Sequence, residues 1–181
     1  MVNSYDSIRF RNVISKRYRF YYEDMGKVME EFINDIVKKN ISLKGPVFYS
    51  LNNVPMDKMM NVELFMPVIQ DKVEIDDDMF FHSYFSIENM ISVYMYANFE
   101  QNTEIAYRML LDYIDENNLK QATPIFHVLS GDKTMQYAFI KVGVTDKKEE
   151  KQVEQQNHMK KDDLSLNEIV EGINSNYDAF K

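Results

Sequence analysis

Cysteine is absent from the sequence, and glycine and proline are scarce, with 5 and 4 residues in a chain of 181. The lack of cysteine excludes disulfides, thiolate nucleophiles and cysteine-ligated zinc. The glycines form neither a G-x-G-x-x-G pattern nor a P-loop, so both of these phosphate-binding motifs are missing. No apolar run approaches the roughly 20 residues that cross a bilayer, so we expect no membrane insertion.

The composition favours a single domain in the cytoplasm. A hydrophobic share of 45% over 181 residues is enough for a core and argues against global disorder. The net charge of −8 argues against non-specific binding to nucleic acid, which needs Lys and Arg to neutralise phosphates. Met1 is followed by neither a positive segment nor an apolar run, so we expect no signal peptide and a cytoplasmic protein.

A group of basic residues near the N-terminus runs against the acidic composition. It consists of Arg9, Arg11, Lys16, Arg17 and Arg19. Such a strip indicates either a local site for phosphate or an acidic partner, or the solvated outer face of a first strand.

Hydrophobic periodicity predicts the order of elements. Runs rich in Ile, Val, Phe and Tyr predict strands, and apolar residues at three- and four-residue spacing predict amphipathic helices. The first set is a strand over 7–22, a helix over 24–40 and strands over 47–51 and 62–68. After an acidic stretch at 70–78, the second set is a strand over 90–99, a helix over 102–117 and strands over 123–129 and 135–144.

The two sets are copies of one another, and this internal repeat is the strongest structural signal in the sequence. Phe32, Asn40 and Pro46 fall opposite Leu110, Asn118 and Pro124 at an offset of 78, which becomes 77 before the helix and 76 in the last strand. We therefore predict an α+β domain over 1–144, with two pseudo-symmetric β-α-β-β halves at about 8–68 and 80–144. Their mostly antiparallel sheet should carry two helices on one face, with a binding groove where the halves meet.

The composition changes after residue 144. Residues 145–163 are almost wholly charged or amide, which predicts a linker. Ser165 and Glu168 have the spacing of a capping box, and apolar residues at helical spacing accompany them: Leu166, Ile169, Val170 and Ile173. We expect a short amphipathic helix over 164–181 that docks either on the domain or on a partner.

The aligned halves carry two short motifs, GPVFY at 45–49 and NVELFMPV at 61–68, with more degenerate copies at 123–126 and 139–144. Over residues 8–144 this pattern resembles the GyrI-like effector-binding family, which is related to the SOUL haem-binding proteins. More narrowly, residues 11–17 and 52–60 resemble uncharacterised proteins encoded beside LXG-domain toxins of type VII secretion loci.

The first resemblance implies a ligand site. In GyrI-like sensors, a glutamate four residues before the Pro-Val of the last strand faces the ligand in an aromatic pocket. The matching residue is Glu63 in half one, whereas half two has Phe139 at the equivalent position, which weakens the expectation of a cationic ligand. Three strand tyrosines would complete the pocket: Tyr84, Tyr94 and Tyr96. The alternative for Glu63 is a solvent-facing strand position.

Catalytic and metal-binding patterns are weak. No pair among His82, His127 and His158 has metal-ligand spacing, and His127 is expected as a packed or edge residue. Asp76-Asp77-Asp78 lacks the glycine and distal glutamate of a calcium loop. No serine lies in a nucleophile-elbow context. We expect neither a metal nor a cofactor, and the one catalytic alternative is a GyrI-like hydrolase that uses Glu63 and a tyrosine.

The sequence thus favours a non-catalytic binding module, with two hypotheses for its ligand. The first is an accessory or adaptor protein that binds a protein partner, such as a type VII secretion toxin. Its contacts would be the tail helix and Met59 and Met60, which lie in an otherwise polar predicted loop, because methionine-rich surfaces adapt to varied partners. The second is a sensor or sequestering domain that holds a small apolar or cationic ligand in the groove.

Overall fold

A computed structural model describes residues 1–53, 58–96, 99–131 and 136–147. The chain divides into two units, Met1–Thr145 and Asp146–Lys181, and nearly all described residues belong to the first. The predicted tail helix with Leu166, Ile169, Val170 and Ile173 lies outside the described residues, as does the predicted linker beyond residue 147.

The described elements form two successive β-α-β-β units. The first is β1 (Val2–Tyr21), a 3-10 turn at Tyr22–Asp24, α1 (Met25–Lys38), β2 (Phe48–Leu51) and β3 (Met59–Pro67). The second is β4 (Met79–Tyr96), α2 (Phe99–Glu116), β5 (Leu119–Gly131) and β6 (Gln136–Asp146). The predicted α+β class, with its two related halves and antiparallel sheet, is confirmed.

Several strands are longer than their apolar cores suggest. β1 begins at Val2 rather than at residue 7, and β4 begins at Met79 rather than at residue 90. β3 begins at Met59, so the placement of Met59 and Met60 in a loop is wrong. Both methionines pair with the end of β1 and are only partly exposed, and Met60 packs against the core beneath α1.

The sheet closes into a six-stranded barrel in the order β1-β3-β2-β5-β6-β4. The closure depends on the two longest strands, because β1 pairs with β3 of its own half and also runs antiparallel to β4 of the other half. That second ladder extends from Val2 opposite Val93 to Lys16 opposite Met79.

Three apolar clusters hold the barrel together. Phe32 and Ile36 of α1 pack on one cluster, and Leu110 and Ile114 of α2 pack on a second. The third cluster fills the interior, where Phe48 stacks on Phe65 with ring centroids 4.7 Å apart. Both helices therefore lie on the outer face, and the centre of the expected groove is occupied by aromatic side chains.

The backbone repeats along with the sequence. Asn12 and Asn89 have positive φ angles of 56° and 53°, and Asn40 and Asn118 have angles of 59° and 54°. These are equivalent positions in the two halves, and asparagine tolerates this left-handed region better than most residues do. At Asn12 the alternation of β1 slips by one residue, so Phe10 before it and Val13 after it both pack into the interior cluster.

Candidate functional site

Two sets of four side chains stand at equivalent positions near the ends of the two halves, on the strand pairs β1/β3 and β4/β6. In half one the cross-strand pairs are Arg17 with Glu63 and Arg19 with Asn61, here called the polar quartet. In half two they are Tyr94 with Phe139 and Tyr96 with Tyr137, here called the aromatic quartet. The repeat offsets relate the two quartets residue by residue: 77 on the first strand of each half and 76 on the last.

Glu63 is held inside the polar quartet by defined partners. Its side chain is 14% exposed, and its Oε2 accepts a hydrogen bond from Arg17 Nε at 3.0 Å. Its Oε1 accepts one from Ser15 Oγ at 2.8 Å, and the same hydroxyl lies 2.9 Å from His82 Nε2. Glu63 therefore does not face solvent, but its partners are a serine and an arginine rather than the tyrosines expected of a ligand pocket.

The trio of Ser15, Glu63 and His82 lacks the geometry of a catalytic triad. In a triad the carboxylate orients the imidazole, and the imidazole takes the proton from the serine. Here the carboxylate accepts from the serine itself, and Ser15 is 0% exposed, so a substrate has no access to its hydroxyl. The arrangement is suited to fixing three strands together.

The aromatic quartet presents ring surface to solvent. Tyr94 lies 5.5 Å from Phe139 and 5.6 Å from Tyr137, centroid to centroid, and Tyr137 meets Phe139 edge-on at 5.8 Å. Tyr94 and Tyr96 are 52% and 55% exposed. Lys141 Nζ lies 5.5 Å from the Phe139 ring centroid, within the range of a cation–π contact.

A partly buried ion pair lies beside the aromatic quartet. Lys141 Nζ donates to Asp6 Oδ1 at 2.8 Å and to the Ser7 carbonyl at 3.1 Å, and the two charged side chains are 12% and 18% exposed. Burial alone would raise the pKa of Asp6, but hydrogen bonds from Lys141, Ser92 and the Ser7 backbone together bring that pKa below its usual value. Lys141 is thereby fixed close to the ring of Phe139.

The structure brings together only some of the predicted site residues. Tyr94, Tyr96 and Phe139 belong to one surface, together with Tyr137, which sequence reasoning missed although it lies two residues before Phe139 in the alternation of β6. Glu63 lies at the equivalent place in the other half. Tyr84 is 59% exposed and pairs with Arg11, outside both quartets.

Ion pairs neutralise much of the basic strip. Arg9 pairs with Glu88, Lys16 pairs with Asp78 at 2.8 Å, and Arg17 pairs with Glu63. Hydrogen bonds from Arg9 and Ser86 hold the pKa of Glu88 at about 2. The strip therefore divides into paired residues and the side chains of Arg11 and Arg19, which form no ion pair within the described part of the chain.

Neither a metal centre nor a membrane helix is found in the part of the chain that the structure describes. No three histidine or acidic side chains there come together as potential ligands of a metal ion. The helices of that part are also too short or too polar to cross a membrane.

Solved structures that share this fold include two of EcmrR. The EcmrR C-terminal domain superposes with a TM-score of 0.60 at 13% identity, covering 78% of this chain and 98% of that domain. EcmrR in its DNA complex within EcmrR-RPo gives a TM-score of 0.61 at 14% identity, covering 78% of this chain and 58% of the EcmrR chain. The chain thus spans a little over half of that EcmrR chain, and identities this low establish the fold alone.

Other comparisons add less. A hydrolase from Listeria innocua aligns with a TM-score of 0.48 at 8% identity, covering 78% of this chain and 92% of that one, which is too distant to support an inference. The search of curated proteins gave no match. The family model described as a domain of unknown function, DUF5085, matches residues 9–146, which include most of β1 and every later described element. Because this match spans most of the sequence, the chain belongs to the DUF5085 family.

Proposed function

We propose that the chain is a non-catalytic binding module and that the aromatic quartet is its contact surface for a partner protein. The observation that carries the proposal is the difference between the two quartets. Equivalent cross-strand pairs are Arg17 with Glu63 in one half and Tyr94 with Phe139 in the other.

The comparison of the two quartets indicates which residue types the fold itself requires at these positions. Half one forms the same strand pairs with charged and amide side chains, so the barrel does not require aromatic rings at these positions. Half-exposed rings also gain less from burial than core residues do. Phe139 also packs against the interior cluster, whereas Tyr94 and Tyr96 are half exposed, so these two tyrosines are the rings best explained by contacts made in a complex.

The chemistry of the aromatic quartet suits a protein surface. Tyrosine combines a large apolar face with a hydroxyl that hydrogen-bonds at the edge of an interface, and tyrosine is enriched among residues that dominate binding energy. The sequence resemblance to proteins encoded beside LXG-domain toxins makes such a toxin the first partner to test. DNA binding, which the EcmrR complex displays, is not proposed for this chain because its net charge is −8.

A second candidate is a small ligand with an apolar or cationic group at the same surface. The specific observation in its favour is the position of Lys141 Nζ over Phe139, which shows that a cation is accommodated at this ring. An organic cation would bind the exposed faces of Tyr94 and Tyr96 in the same manner.

The test exchanges the aromatic pair for the residues that the other half uses, in the double variant Y94R/F139E. The matched control is Tyr21→Ser, which removes a tyrosine of similar exposure, 58%, at the far end of β1. Both proteins are titrated against LXG-domain toxin fragments by surface plasmon resonance and against a panel of aromatic cationic dyes by fluorescence.

We expect Y94R/F139E to bind the toxin roughly tenfold or more weakly, since interface tyrosines contribute at this level. Tyr21→Ser should bind normally. Loss of dye binding alone, with no toxin bound by the wild-type chain, would favour the small-ligand candidate. Equal binding by all three proteins in every titration would exclude the aromatic quartet as the contact surface.

A further inference from the structure

A second site candidate lies outside both quartets. A cavity of about 360 Å³ is lined by basic side chains and an apolar wall: Arg9, Arg11, Lys44, Phe10, Pro46 and Pro67. No acidic residue lines it. In a chain with a net charge of −8, three cations around one concave space are contrary to the overall composition.

Two of the three cations are available to a ligand. Arg9 is engaged by Glu88, whose carboxylate also accepts a hydrogen bond from Ser86. Within the described residues, neither the Arg11 guanidinium nor the Lys44 ammonium takes part in an ion pair. Both residues are exposed, so their charges face water rather than the core.

The wall of the cavity is rigid. Lys44 N donates to the Pro67 carbonyl at 2.9 Å, and Leu43 bridges to Val68, which ties the loop before β2 to the end of β3. Gly45 lies so close that an added Cβ would stand 3.2 Å from the Pro67 ring. Phe10 stacks on Phe48 of the interior cluster at 5.2 Å. A rigid, partly apolar wall lowers the entropy cost of binding.

The equivalent place in half two has neither the charges nor the space. By the offsets of the repeat, Arg9, Arg11 and Lys44 correspond to Ser86, Glu88 and Ala122. Gly45 and Pro67 correspond to Thr123 and Gly143, and there the Thr123 side chain packs onto Gly143 and accepts a hydrogen bond from its N–H at 2.9 Å. The fold therefore requires neither the cations nor the open space, and both are features of half one alone.

We propose that this cavity binds a small anion with an apolar body, such as an aryl carboxylate or an aryl phosphate. The guanidinium of Arg11 offers paired N–H donors that match a carboxylate or phosphate, and Lys44 adds a point charge. The prolines and Phe10 contact the apolar body. A volume of about 360 Å³ is near the lower end of the range for small-molecule pockets, which suits a ligand built on one ring.

The test measures binding of phenyl phosphate and benzoate to the full chain by isothermal titration calorimetry. The variant R11A/K44A removes the two available charges, and R19A/K27A removes two exposed charges elsewhere as the matched control. The variant G45T/P67G fills the space as half two does and leaves every charge in place. Circular dichroism melting establishes that each variant is folded.

The expected result is binding of at least one of the two anions, weakened roughly tenfold or more in R11A/K44A because hydrogen bonds to charged groups contribute at this level. It should also be weakened in G45T/P67G and unchanged in R19A/K27A. The aryl phosphate and the aryl carboxylate differ in charge, so their ratio of affinities identifies the preferred anion.

Three results would overturn the proposal. The first is no heat of binding with either anion at millimolar concentration. The second is equal weakening in R11A/K44A and R19A/K27A, which would indicate only a general loss of positive charge. The third is a Glu-rich peptide that binds better than both anions and is unaffected by G45T/P67G, because that would identify a basic surface for acidic segments rather than a filled cavity.

Discussion

Tyr107 Oη lies 2.6 Å from His127 Nε2, and this hydrogen bond joins α2 to β5 at a site where the imidazole also stacks on Tyr49 at 4.5 Å. His127 is 5% exposed, so the expectation of a packed histidine is confirmed. Burial lowers the pKa of His127 to about 4 and raises the pKa of Tyr107 to about 12, so both groups are neutral at pH 7.

This pair predicts a loss of stability in mild acid. The imidazole of the unfolded chain takes up a proton near pH 6.5, whereas that of the folded chain does so only near pH 4. The contribution of the neutral His127 imidazole to the free energy of unfolding is therefore fully present above pH 6.5. It falls by about 3 kcal/mol as the pH drops towards 4. Denaturant unfolding at pH 7.5 and 4.5 measures the loss. The double variant H127F/Y107F removes both polar partners and should show a smaller loss, whereas an identical pH dependence would disprove the assignment to His127.

Neighbouring leucines on α2 provide a matched pair for the core. Leu110 is 1% exposed and packs against the second cluster, whereas Leu111 is 50% exposed. We expect Leu110→Ala to lower the free energy of unfolding by about 2–5 kcal/mol, since a buried cavity remains. Leu111→Ala should change it by about 0.5 kcal/mol or less. Similar values from urea unfolding would show that the helix is packed on a different face.

Gly143 predicts a steric effect that a second substitution relieves. An added Cβ would lie 2.6 Å from Thr123 Cγ2, so we expect Gly143→Ala to destabilise the chain by about 1–3 kcal/mol. In a Thr123→Ala background the clashing methyl is gone, and the cost of Gly143→Ala should fall by at least half. Gly26→Ala is the control, because no atom lies within 4 Å of its added Cβ and alanine favours helix. Thermal melts of the wild-type chain and the four variants measure these effects, and additive effects at positions 123 and 143 would contradict the contact.

The ion pair of the polar quartet should contribute little. Arg17 is 72% exposed, and exposed pairs typically contribute about 0–1 kcal/mol. A double-mutant cycle with Glu63→Gln and Arg17→Met should therefore give a coupling energy below about 1 kcal/mol. A much larger coupling would mean that Arg17 is fixed at the barrel end. Glu63→Gln should also leave partner binding by the aromatic quartet unchanged.

The helices and the internal repeat could be predicted because their signals are local. Phe32, Ile36, Leu110 and Ile114 recur at helical spacing and are all buried, whereas Ile33, beside Phe32 on α1, is only partly buried. Asn40 and Asn118 occupy equivalent positions of the repeat, and both adopt the same left-handed backbone conformation after a helix.

The strand ends and the sites could not be predicted, because they depend on pairing between distant segments. The first part of β4 contains exposed residues such as Phe80, Ser83 and Tyr84, and its alternation is interrupted, so no strand pattern is visible. The contact of Ser15 with Glu63 and His82 joins three strands far apart in sequence. The anion cavity exists because Gly45 faces Pro67 in half one, whereas the side chain of Thr123 packs onto Gly143 at the equivalent place in half two. These contacts join segments that are distant in sequence and form only when the strands pair.

The β1–β4 ladder relates the fold to that of a symmetric dimer. Arg9 and Ser86, equivalent residues of the two halves, stand directly opposite each other in this ladder, so the pseudo-twofold axis crosses it there. Two identical half-chains could form the same closed barrel as a symmetric dimer. The first strand of each half-chain would then pair with the first strand of the other, as in an isologous interface. Fusion into one polypeptide removes the rule that both subunits must be alike. In this chain half one carries the charges and the open cavity while half two carries the exposed rings, an asymmetry that a dimer of identical half-chains could not have.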